Sequence, residues 1–119
     1  MFMPRLIVIS NLLLLRGSCT LATEMALKAT DFEVFGIVQG VFFRKCTKQQ
    51  ADSLDLRGWC RNTHEGSVQG YIEGPVEKVE SMMDWLRNKG SPTSRIDKAE
   101  FKNLKDIETY QYDGFSIRR

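Results

Sequence analysis

The sequence is poor in the residues that bind metals and form disulfide bonds. Its 119 residues include one histidine, His64, and three cysteines, Cys19, Cys46 and Cys60. An odd number of cysteines at irregular spacing, without a C-x-x-C pair, is typical neither of a disulfide framework nor of a zinc or redox site. The composition therefore favours free thiols in a reducing compartment, and we expect no bound metal and no cofactor.

Several catalytic motifs are also missing. The sequence has no D-x-D pair for an aspartyl-phosphate or metal-assisted hydrolase, and no cysteine followed six residues later by arginine, as in cysteine-dependent phosphatases. It has neither G-K-[S/T] after a glycine-rich loop nor G-x-G-x-x-G, so nucleotide-binding folds are disfavoured. His64 lies in a predicted turn, and we expect it to be exposed rather than to act as a general base.

The main part of the chain has no excess of charge of either sign. Residues 30–119 contain 14 basic and 14 acidic residues, and the formal net charge of +2 comes from residues 1–29. Proteins that bind nucleic acid need a positive surface, because binding displaces cations from the phosphate backbone. We therefore expect no nucleic-acid partner, and a monomer that binds a small anion at one local cationic site.

No hydrophobic run is long enough to span a bilayer, which needs roughly 20 apolar residues. The stretch from Leu6 to Leu15 follows Arg5 and precedes several small residues. Three interpretations remain open: a secretory signal cleaved after Ala22, a mitochondrial presequence, or an alternative upstream start with Met25 beginning the working protein. We favour an extension over residues 1–29 of a cytoplasmic enzyme, without stable membrane association of the domain.

Residues 30–119 show the periodicities of one small domain. Apolar and polar residues alternate in five stretches, whereas two others place apolar residues at helical spacing. The predicted order is strand Phe32–Val38, helix Phe43–Leu54, strands Leu56–Thr63 and Ser67–Glu73 joined as a hairpin, a helix between Pro75 and Gly90, and strands Arg95–Phe101 and Tyr110–Arg118. This βαββαβ order with an extra strand predicts a ferredoxin-like α/β (α+β) sandwich, with two helices on one face of an antiparallel sheet.

The first strand meets the first helix at Gly36-Ile37-Val38-Gln39-Gly40-Val41-Phe42-Phe43-Arg44. Glycines allow a tight turn whose backbone N–H groups, with those of a helix start, point at one anion. A cation near a helix N-terminus is mildly unfavourable unless an anion lies between them, so Arg44 indicates a bound phosphate or carboxylate. The residues predicted to form this anion-binding loop are Gly36, Gln39, Gly40, Val41 and Phe42.

The run GIVQGVFFR resembles the signature of the acylphosphatase family, and the resemblance extends over nearly everything from Asp31 onward. It implies the same ferredoxin-like fold, and it places the catalytic asparagine at Asn62 in the G-W-x-x-N-T match. The chain departs from the family pattern at Ile37, at Asp55, where a helix-terminating glycine is common, and at its last two residues. The other matching segments are Gly58–Thr63, Gly66, Gly74-Pro75, Gly90–Pro92, Ser94–Asp97 and Phe115–Ile117.

A site with no nucleophile, general base or metal suits a substrate with a good leaving group, such as an acyl phosphate. Backbone N–H groups and Arg44 would hold the phosphoryl oxygens, and Asn62 would place a water molecule in line with phosphorus. The products would be a carboxylate and inorganic phosphate. The alternative is a ferredoxin-like module that binds phosphate or another small anion without catalysis.

Overall fold

The computed structural model describes residues 26–119. They form a five-stranded sheet in the order β4-β1-β3-β2-β5, with both helices on one face. The predicted ferredoxin-like fold is confirmed. The element bounds are β1 Leu27–Ile37, α1 Phe43–Ser53, β2 Arg57–Asn62, β3 Val68–Pro75, α2 Val76–Asn88, β4 Arg95–Ile107 and β5 Phe115–Ile117.

The core lies between the sheet and the two helices. Alternate residues of the strands are buried against the helices, as a period of two requires. The predicted helical faces are buried as well, and they meet where the rings of Phe43 and Trp85 lie 5.9 Å apart. The buried residues of this core include Phe32, Val34, Cys60, Val68 and Ile72 from strands and Phe43, Ala51, Val79, Met82 and Leu86 from helices.

The sheet is mixed rather than antiparallel, because β5 runs parallel to β2. The segment before β5 is held by the buried carboxylate of Glu73, which accepts hydrogen bonds from the backbone N–H groups of Gln111 and Tyr112, both at 2.8 Å. Glu73 pairs with Arg57 at the start of β2. This segment therefore lies beside the start of β2, where β5 begins.

The hydroxyl of Tyr71 gives Glu73 a third hydrogen bond, at 2.8 Å. Burial and this contact with the carboxylate raise the pKa of Tyr71, so the hydroxyl keeps its proton and remains a donor. Three donors on one buried carboxylate compensate for the solvation that it loses. The Glu73 contacts also explain why β5 has only three residues, whereas a strand was predicted from Tyr110 to Arg118.

Two strands are longer than predicted. β1 begins at Leu27, and its first residues pair with the end of β3 and with the far end of β4. The predicted domain boundary at residue 29 therefore falls inside β1. The polar residues Lys28, Thr30 and Asp31 interrupt the alternation of apolar and polar residues there, so the sequence pattern did not predict this part of the strand. β4 continues past a bulge at Asn103 (φ 57°), where the pattern of alternation also breaks.

Among residues 26–119, no helix is long and apolar enough to cross a membrane.

Helix α1 ends at Ser53 with Leu54 as its C-cap, and the next residue, Asp55, has a left-handed backbone with φ 59°. The N–H of Leu56 donates to the carbonyl of Ala51 at 2.8 Å, which closes the turn beyond the helix. Glycine is the common residue at this position because a Cβ strains the left-handed conformation. The departure from the family pattern at Asp55 therefore has a local energetic cost.

We expect Asp55→Gly to raise the free energy of unfolding by about 0.5–1 kcal/mol, because the relieved strain exceeds the extra entropy that glycine has in the unfolded chain. Denaturant titration of the two proteins measures this difference. Asp55→Val is the matched comparison, and it should destabilise, since a β-branched residue is poorly tolerated at positive φ. A glycine variant no more stable than the parent would show that Asp55 is not strained.

Candidate active site

The turn between β1 and α1 leaves the start of the helix open to a ligand. Gly40 and Phe42 both have left-handed backbones, with φ 74° and 60°, and the side chain of Phe42 is 74% exposed. No side chain within residues 26–119 caps α1, and its first turn contains no acidic residue. Because the first N–H groups of a helix have no partner within it, they are free here to bind an anion.

Two side chains hold this turn in place. The Nε2 of Gln39 donates to the carbonyl oxygens of Thr63 and Ser67, both at 2.9 Å, which ties the turn to the β2–β3 connection. The hydroxyl of Ser91 donates to the carbonyl oxygen of Val41 at 3.0 Å. Both amide hydrogens of Gln39 are engaged in this way. Of the donor groups of Gln39, only the backbone N–H therefore remains for the predicted anion-binding loop. At Val41, too, the backbone N–H is the group that can contribute to this loop.

Gly36 lies in β1, before the turn. A Cβ built on it would come within 2.0 Å of the carbonyl oxygen of Arg95, and its φ of 135° is unfavourable for other residues. The register between β1 and β4 shifts at this point. Close approach of β4 therefore accounts for glycine at position 36. No other feature of β1 supports the prediction that Gly36 takes part in binding the anion.

Arg44 lies in the first turn of α1 and is half-buried, above β2. Its charge, together with that of Lys48, acts on the thiol of Cys60. Burial dominates there and raises the pKa of Cys60 to about 12, although the two cations oppose this shift. The thiol is therefore protonated at neutral pH and cannot serve as a nucleophile. In the described part of the chain, Arg44 has no ion-pair partner.

Asn62 is the last residue of β2, two positions beyond Cys60. Its side-chain oxygen Oδ1 is buried, and within residues 26–119 it has no hydrogen-bond partner. Leaving a buried acceptor unpaired costs roughly 1–3 kcal/mol, so such an atom is rare unless water or a ligand occupies the site. A residue at the end of a strand whose amide oxygen is held free is suited to accept a hydrogen bond from a water molecule.

A small network fixes the segment next to Asn62. The hydroxyls of Thr63 and Ser67 lie 2.6 Å apart, and the hydroxyl of Ser67 donates to the carboxylate of Glu33 at 2.5 Å. His64 is exposed, as predicted, and makes no contact in this network. The same two residues, Thr63 and Ser67, accept the hydrogen bonds from Gln39, so the network connects the turn at Arg44 to the strand end at Asn62.

Arg44 and Asn62 line two separate cavities, and one residue, Arg119, lines both. The cavity beside Arg44 has a volume of about 280 Å³, and the one beside Asn62 a volume of about 700 Å³. The sequence did not predict Arg119 as a residue of the site. The one sequence feature that drew attention to Arg119 was the departure from the family pattern at the end of the chain. The bracing residues Ser91 and Thr63 were also missed as parts of the site.

No group of three or more histidine, cysteine, aspartate or glutamate side chains in residues 26–119 is arranged to hold a metal ion. The groups that this site offers for chemistry are N–H donors, one guanidinium and one amide. Such a set can bind an anion, stabilise developing negative charge and orient a water molecule.

Comparison with known proteins identifies the family of this chain. The family model for acylphosphatase matches residues 30–117. Acylphosphatase-2 of Rattus norvegicus is 53% identical over 92 residues, which are 77% of this chain and 95% of that protein. Acylphosphatase-2 of Homo sapiens is 48% identical over 98 residues, covering 82% and 99%. The chain therefore belongs to the acylphosphatase family, and the resemblance stated from its motifs is confirmed.

Solved structures give the same result for the fold. The acylphosphatase of Bacillus subtilis superposes with a TM-score of 0.68 and 30% identity, over 77% of this chain and 99% of that one. The acylphosphatase of Coxiella burnetii has a TM-score of 0.69 and 28% identity, over 78% and 94%. Both superpositions support the ferredoxin-like fold.

Proposed function

We propose that this enzyme hydrolyses the carboxyl–phosphate bond of acyl phosphates by direct attack of water on phosphorus, without a metal ion. Membership of the acylphosphatase family supports the class of reaction. The observation that carries the mechanism is the buried, unpartnered Oδ1 of Asn62. An acceptor of this kind holds a water molecule by one of its hydrogens and leaves an oxygen lone pair free to attack.

The phosphoryl group is bound at the other end of the site. Backbone N–H groups between Gln39 and Phe42 and at the start of α1 surround its oxygens, and the fork of Arg44 grips two of them. No side chain of residues 26–119 caps this helix end, which supports the assignment of the position to a ligand. Negative charge on the phosphoryl oxygens is then stabilised by donors that are already in place before the reaction.

The bond changes need no acid or base from the protein. The oxygen of water forms a bond to phosphorus, and the bond between phosphorus and the acyl oxygen breaks. A phosphoryl oxygen takes the proton released by water. The acyl oxygen leaves as a carboxylate, which is stable without protonation at neutral pH. The products are a carboxylate and inorganic phosphate, in agreement with a site that lacks an ionisable nucleophile.

We further propose a monomeric enzyme of the cytoplasm that acts on a small molecule rather than on nucleic acid. The equal numbers of basic and acidic residues in positions 30–119 argue against a nucleic-acid partner. Leu27 to Ala29 belong to β1. The role of the preceding residues as a separate extension stays a prediction, since residues 1–25 lie outside the described part.

The test is hydrolysis of benzoyl phosphate after exhaustive treatment with a chelator. We expect the rate to be unchanged, and we expect reaction in ¹⁸O-labelled water to place the label in phosphate and not in benzoate. A rate that falls on chelation and returns with a divalent ion would exclude the proposed mechanism. Binding of inorganic phosphate without any turnover would instead support the non-catalytic alternative.

A further inference from the structure

The peptide unit between Val41 and Phe42 is turned away from the hydrogen bonds of helix α1. The N–H of Cys46 donates to the carbonyl of Phe42 at 2.9 Å, as in the first turn of a helix. The carbonyl of Val41, one residue earlier, accepts instead from the hydroxyl of Ser91 at 3.0 Å. No backbone N–H of residues 26–119 donates to it. Ser91 is therefore the group that holds this peptide unit in its orientation.

This orientation is the less favourable one for Phe42. Its φ of 60° is left-handed, and a residue with a Cβ is strained there. Rotation of the peptide unit before a residue reverses the sign of its φ, as in the conversion of a type II turn into a type I turn. The side chain of Phe42 is 74% exposed, so its packing does not impose the strained backbone. The hydrogen bond from Ser91 opposes the reversal that would relieve the strain.

The orientation also decides which group faces the anion. The peptide bonds of residues 26–119 are all trans, so each C=O points away from the N–H that follows it. Val41 lines a cavity with Pro92, whereas it does not line the cavity beside Arg44. Since the carbonyl of Val41 is directed to Ser91, the N–H of Phe42 is directed to the side of Arg44. The reversed peptide would place a carbonyl oxygen there, which repels an anion.

The backbone of Ser91 is itself held in place. Ser91 is buried and follows Gly90, whose N–H closes the last turn of α2 with a hydrogen bond of 3.0 Å. The N–H of Ser94 donates to the carbonyl of Ser91 at 3.1 Å, which closes the next turn. A Cβ at Gly90 would come within 3.0 Å of the ring of Phe43. The end of α2 is therefore packed against the start of α1, and the hydroxyl of Ser91 extends from a fixed position.

We propose that Ser91 is a positioning residue for the phosphoryl group. Its hydroxyl holds the peptide unit between Val41 and Phe42 so that the N–H of Phe42 faces the anion before the anion binds. Ser91 itself contacts neither the phosphoryl group nor the attacking water. This inference deepens the proposed function and rests on its assignment of the phosphoryl group to the turn. Without the hydroxyl, only a fraction of the molecules has the turn in the binding orientation, and the apparent affinity falls by that fraction.

The test is calorimetric titration with inorganic phosphate, which needs no turnover. We expect Ser91→Ala to weaken phosphate binding about tenfold, because the reversed peptide then becomes the favoured one. In a Phe42→Gly background the same change should weaken binding only about twofold, because glycine adopts either sign of φ with similar ease. A role of Ser91 in stability alone would give the same factor in both backgrounds. Added phosphate should shift the amide NMR resonance of Phe42 in the parent protein, and shift it less in Ser91→Ala.

Ser94→Ala is the matched control, because the hydroxyl of Ser94 donates to the carbonyl of Ser91 at 2.7 Å within the same turn. It removes one neighbouring hydrogen bond and leaves the contact with Val41, so phosphate affinity should stay within about twofold. Ser91→Cys keeps the shape of the side chain with a much weaker donor, and it gives the same test if the alanine variant does not fold.

Unchanged phosphate affinity in the Ser91 variants would overturn the inference while the proposed function stands. An equal loss of affinity in Ser94→Ala, or an undiminished effect of Ser91→Ala in the Phe42→Gly background, would overturn it as well. If benzoyl phosphate is not hydrolysed by the parent protein, the proposed function fails, and the phosphate titrations still decide the inference.

Discussion

Replacing Arg44 with alanine should abolish turnover of acyl phosphates and weaken the binding of inorganic phosphate. In the proposed mechanism the guanidinium contacts the phosphoryl oxygens before and during the reaction, so its loss should affect both ground and transition states. We expect kcat/KM for benzoyl phosphate to fall by about 10³-fold or more, and phosphate affinity by about tenfold or more. Steady-state kinetics and calorimetric titration with phosphate measure the two effects.

Arg44→Lys should not restore activity, because a compact point charge cannot reproduce a planar fork that grips two oxygens. Arg87→Ala is a suitable control, since Arg87 lies on α2 with its guanidinium 5.1 Å from the ring centre of Phe101. It should leave both phosphate affinity and turnover unchanged. Undiminished phosphate binding in Arg44→Ala would remove Arg44 from the proposed phosphate site.

The parts of the site that lie within one stretch of sequence could be predicted from it. A strand, two glycines and an arginine at a helix start require only local backbone geometry, and the structure places Gly40 and Arg44 as expected. The fold followed in the same way from the spacing of apolar residues along β1, α1 and α2. These patterns involve residues that are close in sequence, so they predict the elements without knowledge of which distant residues are in contact.

The remaining parts depend on contacts between distant residues. The position of the segment before β5 depends on the hydrogen bond from the backbone N–H of Gln111 to Glu73, which no local pattern reveals. Arg119 enters the site only because the sheet brings the end of the chain beside α1. Asparagine is common in turns for local reasons, so only the resemblance identified Asn62 as a candidate catalytic residue. Its distinguishing property is a buried oxygen without a partner, which exists only in the folded chain.

Substitution of Asn62 should separate its role from that of Arg44. In Asn62→Ala we expect kcat to fall on the order of 10²–10³-fold while phosphate affinity stays within about twofold, because in the proposed mechanism the amide contacts the attacking water and not the phosphoryl oxygens. The free energy of unfolding should be unchanged or higher, by up to about 1 kcal/mol, because an unpaired buried acceptor has been removed.

A carboxylate at the same position gives the opposite pattern in binding. Asn62→Asp can still accept from water, but its negative charge should repel inorganic phosphate, so affinity should fall together with kcat. Asn88→Ala, at the end of α2, serves as the control and should change neither quantity. If Asn62→Ala weakened phosphate binding as much as Arg44→Ala, Asn62 would be a ligand of the phosphate. The water would then have to be held by another group, and the unpartnered Oδ1 would lose the role proposed for it.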